Sequence, residues 1–440
     1  MTKLTIREIM EYDEGYIYSI LRENLIPFKK EEINISDNDY SADAKFIVNT
    51  IEDVHPYFLT EYYNFKEYKK TRDYFLKKCK NTSLFNFKLQ ILKYFKVLSD
   101  GHMSIMQPDN YELNNDFEYV NNTLYFKSTK IKILKIGEIG IRKILKKIDE
   151  YFYFENFSNK ELYIPEYLKG KLFLEYIGCK VIDNKIEILT DIKLEYCEFI
   201  NKESKNSINN YTRNISNYTI KSDMIDDIFY IDFQECKINN QLNIVIENIK
   251  NAISNGINKF IIDIRNNLGG TADANERILD ALNIESATNG AIIRLSNNIK
   301  RQFKSSYNFD DISEDKINYV FYKPKLKSAK KNDNIKLVLL TSKYTYSSAM
   351  QLALEISDGN LGLVIGEIPS NAPCCFGDMY YSETPRLKLP FKVSHKYFLR
   401  PNLKKGFNNF IPNIEIDGKR ALNKAVFYLK NIDKKENFIL

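Results

Sequence analysis

The chain has 440 residues, enough for two or three domains, and its 44% hydrophobic and 28% charged residues exclude an intrinsically disordered protein. Its net charge of +6 comes from 64 basic and 58 acidic residues that are mixed along the chain. Because nucleic-acid binding needs a clustered basic surface, we expect no nucleic-acid partner.

The N-terminus lacks the apolar core of a signal peptide, and the sequence contains no run of the roughly 20 apolar residues that a membrane span needs. The six cysteines form no Cys-x-x-Cys pair and match no zinc or disulfide framework. Free thiols are typical of a reducing compartment. The sequence therefore predicts a cytoplasmic protein without a membrane partner.

Residues 1–106 show the three- and four-residue spacing of apolar side chains that predicts amphipathic helices. The clearest such segment is Leu84–Phe95, and Gly101 soon after it is typical of a helix end. Residues 107–235 instead alternate Ile, Tyr and Phe with polar residues, which predicts a β-rich module with a polar loop at 198–222.

Residues 236–440 alternate continuous apolar strands, such as 260–264 and 337–340, with helical segments. Strands of this kind lie in a sheet that helices cover on both faces. The predicted fold class is therefore α/β, in a multidomain (α+β) chain. Its three predicted parts are an N-terminal helical region (1–106), a β-rich module (107–235) and an α/β core (236–440).

The first segment that carries chemistry is the Asp-Ile-Arg-Asn-Asn-Leu-Gly-Gly run at 263–270, which follows a buried strand. Two glycines after a strand allow backbone shapes closed to other residues and let a ligand approach the N–H groups. That suits an oxyanion site built on Gly269 and Gly270. By itself, the run is equally typical of a tight turn.

The second segment is the Thr-Tyr-Ser-Ser-Ala-Met run at 345–350, which joins a strand to a helix. A serine at such a turn is exposed at the sheet edge, beside helix N–H groups that stabilise negative charge. Ser347 is thus a candidate nucleophile and Ser348 a candidate oxyanion donor. Taken alone, however, serines here are more often ordinary helix caps.

The third segment contains His102, one of only three histidines, in the Asp-Gly-His run at 100–102. It follows a helix and precedes an apolar stretch, so it is a candidate general base. His55, beside a proline in the helical region, and His395, in an apparent strand, are interpreted as structural. A lone histidine is usually not catalytic, and the assignment needs the other two segments.

In this order the three segments resemble the C-terminal-processing/tricorn-core serine peptidases. The resemblance is clearest over 240–415 and extends more weakly to 45–106. It implies a ClpP/crotonase-like β-α-β core and a PDZ-like or barrel module at 107–235. It also implies supporting roles for four residues of the matching motifs, which are Asp263, Arg265, Asp358 and Glu367.

Members of this family differ in their general base. Processing peptidases use a lysine in the turn after Gly-Glu, and Ala372 occupies that position here. The tricorn-like branch uses a histidine from the N-terminal part, which His102 matches. The resemblance therefore implies a serine endopeptidase in which His102 activates Ser347 for acyl-enzyme chemistry on peptides or unfolded proteins. It implies no cofactor and no metal.

Two departures from the family pattern keep alternatives open. Met350 stands where a glutamate is usual, and the glutamate and second serine that complete the tricorn-like charge relay have no clear match. An inactive member that only binds peptides is the main alternative, and an esterase that uses the same serine is a second one. Oligomeric state, substrate and cleavage preference are not determined by the sequence.

Overall fold

The computed structural model describes residues 15, 17–21, 39–60, 62–105, 110–201, 219–313, 316–326 and 329–432. The chain forms two compact units, each built from several segments. Unit 1 comprises residues 1–213, 292–321 and 376–397, and unit 2 comprises residues 214–291, 322–375 and 398–440.

The helices within the described residues are α1 (Ser41–Val54), α2 (Phe65–Lys78), α3 (Leu84–Lys96), α4 (Ile141–Tyr151), α5 (Phe157–Tyr167), α6 (Lys171–Tyr176), α7 (Asn240–Ser254), α8 (Asp273–Ala281), α9 (Asn297–Phe303), α10 (Ser348–Asp358) and α11 (Gly418–Asn431).

The strands over the same residues are β1 (Ile17–Leu21), β2 (Ser104–Ile105), β3 (Tyr111–Leu113), β4 (Phe117–Val120), β5 (Thr123–Phe126), β6 (Ile133–Ile136), β7 (Ile139–Gly140), β8 (Val181–Ile182), β9 (Lys185–Thr190), β10 (Leu194–Asn201), β11 (Ile220–Ile225), β12 (Ile228–Phe233), β13 (Lys259–Asp263), β14 (Gly290–Leu295), β15 (Lys316–Tyr322), β16 (Lys336–Thr341), β17 (Leu363–Gly366), β18 (Cys375–Glu383), β19 (Pro390–Leu399) and β20 (Ile414–Glu415).

The helices of unit 1 begin at side-chain caps and bury aromatic faces. The side chains of Asn64 and Ser83 accept backbone hydrogen bonds at the starts of α2 and α3, which satisfies amide groups that the first helical turn leaves without partners. Phe75 of α2 stacks on Phe87 and Tyr94 of α3, with ring centroids 6.1 and 5.0 Å apart. These contacts hold α3, and therefore the segment that follows it, against α2.

The β-rich part of unit 1 contains a sheet in the order β3-β10-β9-β6-β7, with β8 paired to β9. Helix α4 buries one side, formed by Ile141, Ile144, Ile148 and Tyr151, in the core of this module. A second sheet of unit 1 runs in the order β1-β15-β14-β19-β18, with the short strand β2 paired to β19.

Unit 2 is built on a sheet in the order β11-β12-β13-β16-β17-β20. In this sheet β12, β13, β16, β17 and β20 are parallel, whereas β11 is an antiparallel edge strand. Strand β13 is buried except at its first residue, because α7, α8 and α10 contribute to the core on one face and α11 packs on the other. The carboxyl ends of β13 and β16 therefore lie side by side.

The α/β fold class predicted from the sequence is confirmed. The predicted polar loop is wrong at both ends, because residues 198–201 pair within β10 and residues 220–222 pair within β11. The rest of that loop, residues 202–218, lies outside the described residues. The three-part division and the PDZ-like character of the middle part stay predictions.

Within the described part of the chain, no helix is both long enough and apolar enough to cross a membrane.

Candidate active site

Ser347 lies at the start of α10, directly after the loop that leaves β16. Its backbone has φ of 55° and ψ of −126°, a region that residues other than glycine rarely occupy. Such a conformation costs about 1–3 kcal/mol and persists only where the surrounding structure enforces it. The side chain is half-buried, so its hydroxyl sits on a rigid turn without being sealed from solvent.

The diglycine turn lies against this serine. A Cβ atom on Gly269 would come 2.6 Å from the Cβ of Ser347 and 2.9 Å from the backbone nitrogen of Ser348. Gly269 also has φ of 104°, which side-chain-bearing residues rarely adopt. Only glycine therefore fits between the end of β13 and the start of α10.

Three asparagines support the two turns, Asn267 through its backbone carbonyl and its side chain, and Asn371 and Asn275 through their side chains. The carbonyl of Asn267 accepts the N–H of Tyr346 at 3.0 Å, and its side chain donates to Phe233 at 2.8 Å. Asn371 accepts the N–H of Ser347 at 2.7 Å. In α8, the fully buried Asn275 donates to the carbonyl of Ser348 at 2.8 Å. The sequence prediction missed all three as site residues.

The hydrogen bonds narrow the choice of oxyanion donors. The N–H of Gly269 donates to Asn267 Oδ1 at 2.8 Å, so this predicted donor is already engaged. Gly270 is exposed, and its carbonyl accepts the hydroxyl of Ser348 at 2.8 Å. Ser348 opens α10, where backbone N–H groups and the helix dipole favour negative charge.

Asp263 and Arg265 form an ion pair at the end of β13. The guanidinium of Arg265 donates to Asp263 Oδ2 at 2.6 Å and to the carbonyl of Gly418 at 2.6 Å. Tyr230 donates to the same carboxylate at 2.7 Å. Burial, followed by the charge of Asp263, raises the pKa of Tyr230, so the phenol stays protonated as a donor. This cluster anchors the strand end below the diglycine turn.

Asp358 and Glu367 have other partners. Asp358 lies at the far end of α10 from Ser347, and Arg400 donates to both of its carboxylate oxygens at 3.0 and 2.8 Å. Glu367 accepts the N–H of Lys343 at 3.3 Å and so supports the loop before the serine. Both carboxylates therefore hold unit 2 together, and neither one is committed to a histidine.

His102 belongs to unit 1, where it follows α3. The backbone N–H of His102 donates to Asp100 Oδ1 at 2.7 Å. The other oxygen of that carboxylate lies 3.0 Å from Nε2 of the buried His55. Burial lowers the pKa of His102 to about 4, with Asp100 acting upward and Lys392 downward. The imidazole is thus neutral at pH 7, as a general base must be.

Met350, which stands in place of the usual glutamate, is a core residue. It is 1% exposed and packs in the main apolar cluster of unit 2. Ala372, at the position that carries the lysine in processing peptidases, is also buried. The described site in unit 2 therefore has no lysine at that position.

A strained serine at the head of a helix, packed against a diglycine turn on a parallel sheet, defines an α/β serine hydrolase. Residues 227–405 match the model of Peptidase family S41. Residues 227–405 thus form a peptidase domain of family S41, and the chain is a serine-type peptidase that acts on peptide or protein substrates.

Solved structures agree with this fold. Mature CPAF aligns with a TM-score of 0.56 and 11% identity over 90% of this chain and 96% of the other. Mature CPAF complexed with lactacystin aligns with the same TM-score and identity over 90% and 97% of the two chains. No curated protein matches the sequence.

Proposed function

We propose that this chain is an endopeptidase of the histidine-base branch, with Ser347 as nucleophile and His102 as general base. His102 takes the hydroxyl proton as Ser347 Oγ attacks the substrate carbonyl carbon. The C–N bond then breaks, and the proton passes from the imidazolium to the leaving amine. Water next attacks the acyl-serine ester while His102 accepts its proton. The ester C–O bond then breaks, the proton returns to Ser347 Oγ, and the product acid leaves.

The backbone N–H groups of Gly270 and Ser348 are the proposed donors to the oxyanion. The first belongs to the exposed end of the diglycine turn and the second to the first turn of α10. Fixed donors of this kind need no reorganisation when the charge develops, and removing one typically costs about 100–1000-fold in rate.

The strained backbone of Ser347 is the observation that best supports the assignment. An ordinary helix cap takes an extended backbone and uses its side chain to accept an N–H, as Ser83 and Asn239 do. Ser347 instead has positive φ, and its side chain makes no cap hydrogen bond. A costly conformation with no capping benefit favours a catalytic role over a structural one.

His102 is proposed as the base because unit 2 has Ala372 at the lysine position, and because His102 is neutral at physiological pH. The other two histidines have structural partners. His55 is buried against Asp100, and His395 is buried between Phe303 and Tyr307, whose hydroxyl lies 3.0 Å from Nε2.

The proposed substrates are unfolded proteins or short peptides, and the proposed compartment is the cytoplasm. The test is cleavage of reduced, unfolded casein by the wild type, Ser347→Ala and His102→Ala, with folding checked by circular dichroism. We expect fragments from the wild type alone. Fragments from Ser347→Ala at the wild-type rate would contradict the nucleophile, and fragments from His102→Ala at that rate would contradict the base.

A further inference from the structure

The carboxyl group of Glu155 lies 3.9 Å from Nδ1 of His102. Both groups belong to unit 1 and are largely buried, with side chains 3% and 10% exposed. A carboxylate beside one ring nitrogen is what a histidine base needs to stabilise its protonated form when the other nitrogen takes a proton.

We propose that Glu155 is the positioning residue of His102, orienting its ring and stabilising the imidazolium that forms during acyl transfer. The inference rests on the proposed function of His102. It assigns the acid from the link between α4 and α5, a part of the chain in which no sequence motif marked it.

Gly101 gives the carboxyl group its place. A Cβ atom on Gly101 would collide with the carboxyl oxygen of Glu155, although the backbone of Gly101 itself is not strained. The glycine therefore leaves the space that the Glu155 carboxyl group occupies, and a larger residue here would displace that carboxyl group. This adds a second reason for the Asp-Gly-His run, beyond the ending of a helix.

The segment that carries Glu155 is fixed on both sides. Before it, Phe152 stacks on Tyr167 with ring centroids 3.6 Å apart. After it, Asn156 caps α5 by accepting the N–H of Asn159 at 2.9 Å. Both anchors lie within three residues of Glu155, so its carboxyl group is held near His102 before any substrate binds.

Asp100 is nearer to His102 in sequence than Glu155 is, but both of its carboxylate oxygens already have other hydrogen-bond partners. One of its oxygens accepts the N–H of His102 and the other faces Nε2 of His55. Nδ1 of His55 accepts the N–H of Tyr57 at 3.0 Å, so Nε2 carries the proton and donates to Asp100. Burial alone would raise the pKa of Asp100, but this hydrogen bond and charge lower it.

Three charged groups from different elements face His102 among the described residues, namely Asp100, Lys392 of β19 and Glu155. Burial and Lys392 lower the pKa of His102 and Asp100 raises it. Because the pKa stays below its ordinary value, a second carboxylate at Nδ1 would give the protonated form further support. Replacing Glu155 by glutamine keeps the shape of the side chain but removes this support.

The experiment compares Glu155→Gln, Glu155→Asp and the control Glu150→Gln, which removes a half-exposed carboxylate on α4 that pairs with Lys147. The first readout is a nuclear magnetic resonance titration of ¹³C-labelled histidine, with the His102 signal assigned by its loss in His102→Ala. We expect Glu155→Gln to lower the pKa of His102, Glu155→Asp to lower it less, and Glu150→Gln to leave it unchanged.

The second readout is kcat/KM for casein cleavage against pH. We expect Glu155→Gln to lower kcat about 100-fold with little change in KM and to move the acid limb of the profile to lower pH. A His102 titration and a kcat in Glu155→Gln equal to those of the wild type would overturn the proposal. The titration needs no substrate, so its result stands even if the wild type cleaves nothing, the outcome that would count against the proposed function.

Discussion

The serine turn of unit 2 and the His102 segment of unit 1 are built by different physical means. Hydrogen bonds to backbone groups and a glycine contact hold Ser347 in its strained conformation, and two of the residues that supply them, Asn267 and Gly269, stand in one short run of sequence. His102 depends instead on buried side-chain charges from three separate elements. The first kind of site leaves a local signature in the sequence, and the second kind does not.

The largest expected effect separates the histidines of unit 1. His102→Ala is expected to lose about 10⁴-fold in kcat with little loss of stability, because the proposed role of His102 is in the reaction. His55→Ala is expected to lower the free energy of unfolding by about 3–5 kcal/mol, because it removes the hydrogen bond that His55 makes to the buried carboxylate of Asp100. Casein cleavage and urea denaturation of the two variants measure the difference. Equal activity in wild type and His102→Ala would remove the histidine from the mechanism.

Next in size is the effect of filling the space beside Ser347. Gly269→Ala is expected to lower kcat about 100-fold, because the new methyl group displaces Ser347 and the Ser348 N–H from their geometry. The control is Gly256→Ala, at φ of 84° with no atom within 4 Å of the added carbon.

Both alanine variants carry backbone strain of about 1–3 kcal/mol, so the temperature of thermal unfolding is expected to fall in each. Only Gly269→Ala is expected to lose activity as well. Equal loss of kcat in the two variants would mean that general destabilisation, and not the contact with Ser347, accounts for the effect.

The smallest expected effect concerns Glu355, a residue of α10 whose carboxyl group is buried. One oxygen of this group accepts a hydrogen bond from the side chain of Asn289 at 2.7 Å. Burial raises its pKa from 4.5 to about 8. The folded state therefore holds a proton that the unfolded state releases. The stability this carboxyl group contributes is complete below pH 4.5 and is lost as the pH rises toward 8.

Glu355→Gln cannot ionise, so it is expected to be more stable than the wild type by about 1–3 kcal/mol at pH 7 and similar to it below pH 4.5. Urea denaturation across this range measures the difference, with the exposed Glu247→Gln of α7 as the control. Identical pH dependence in wild type and Glu355→Gln would contradict the buried, protonated state. This variant tests the packing around α10 and does not change the His102 segment.

The α/β core was predictable because its strands are continuous apolar runs and its helices follow a regular spacing. The Ser347 turn and the diglycine turn were predictable as motifs, but the asparagines that join them were not. Asn267 and Asn371 lie 104 residues apart, a separation that no local pattern relates, and asparagine is abundant throughout this chain.

Asp358, which the sequence suggested, and Glu155, which it did not, show the same limit of prediction from sequence. Asp358 matches a family position in the sequence, yet its partner Arg400 is 42 residues away and neutralises it. Glu155 stands 53 residues from His102 in sequence and reaches it only because α4 and α5 pack as they do. Which carboxylate meets which cation or imidazole depends on tertiary packing, which the sequence patterns do not specify.

The central claim is that Ser347 is a nucleophile activated by His102, and labelling with a fluorophosphonate tests it most directly. Mass spectrometry of the digested protein is expected to find the phosphonyl group on Ser347 in the wild type. The same analysis is expected to find none in Ser347→Ala and much slower labelling in His102→Ala. Labelling of another residue, or an equal rate in His102→Ala, would contradict the account.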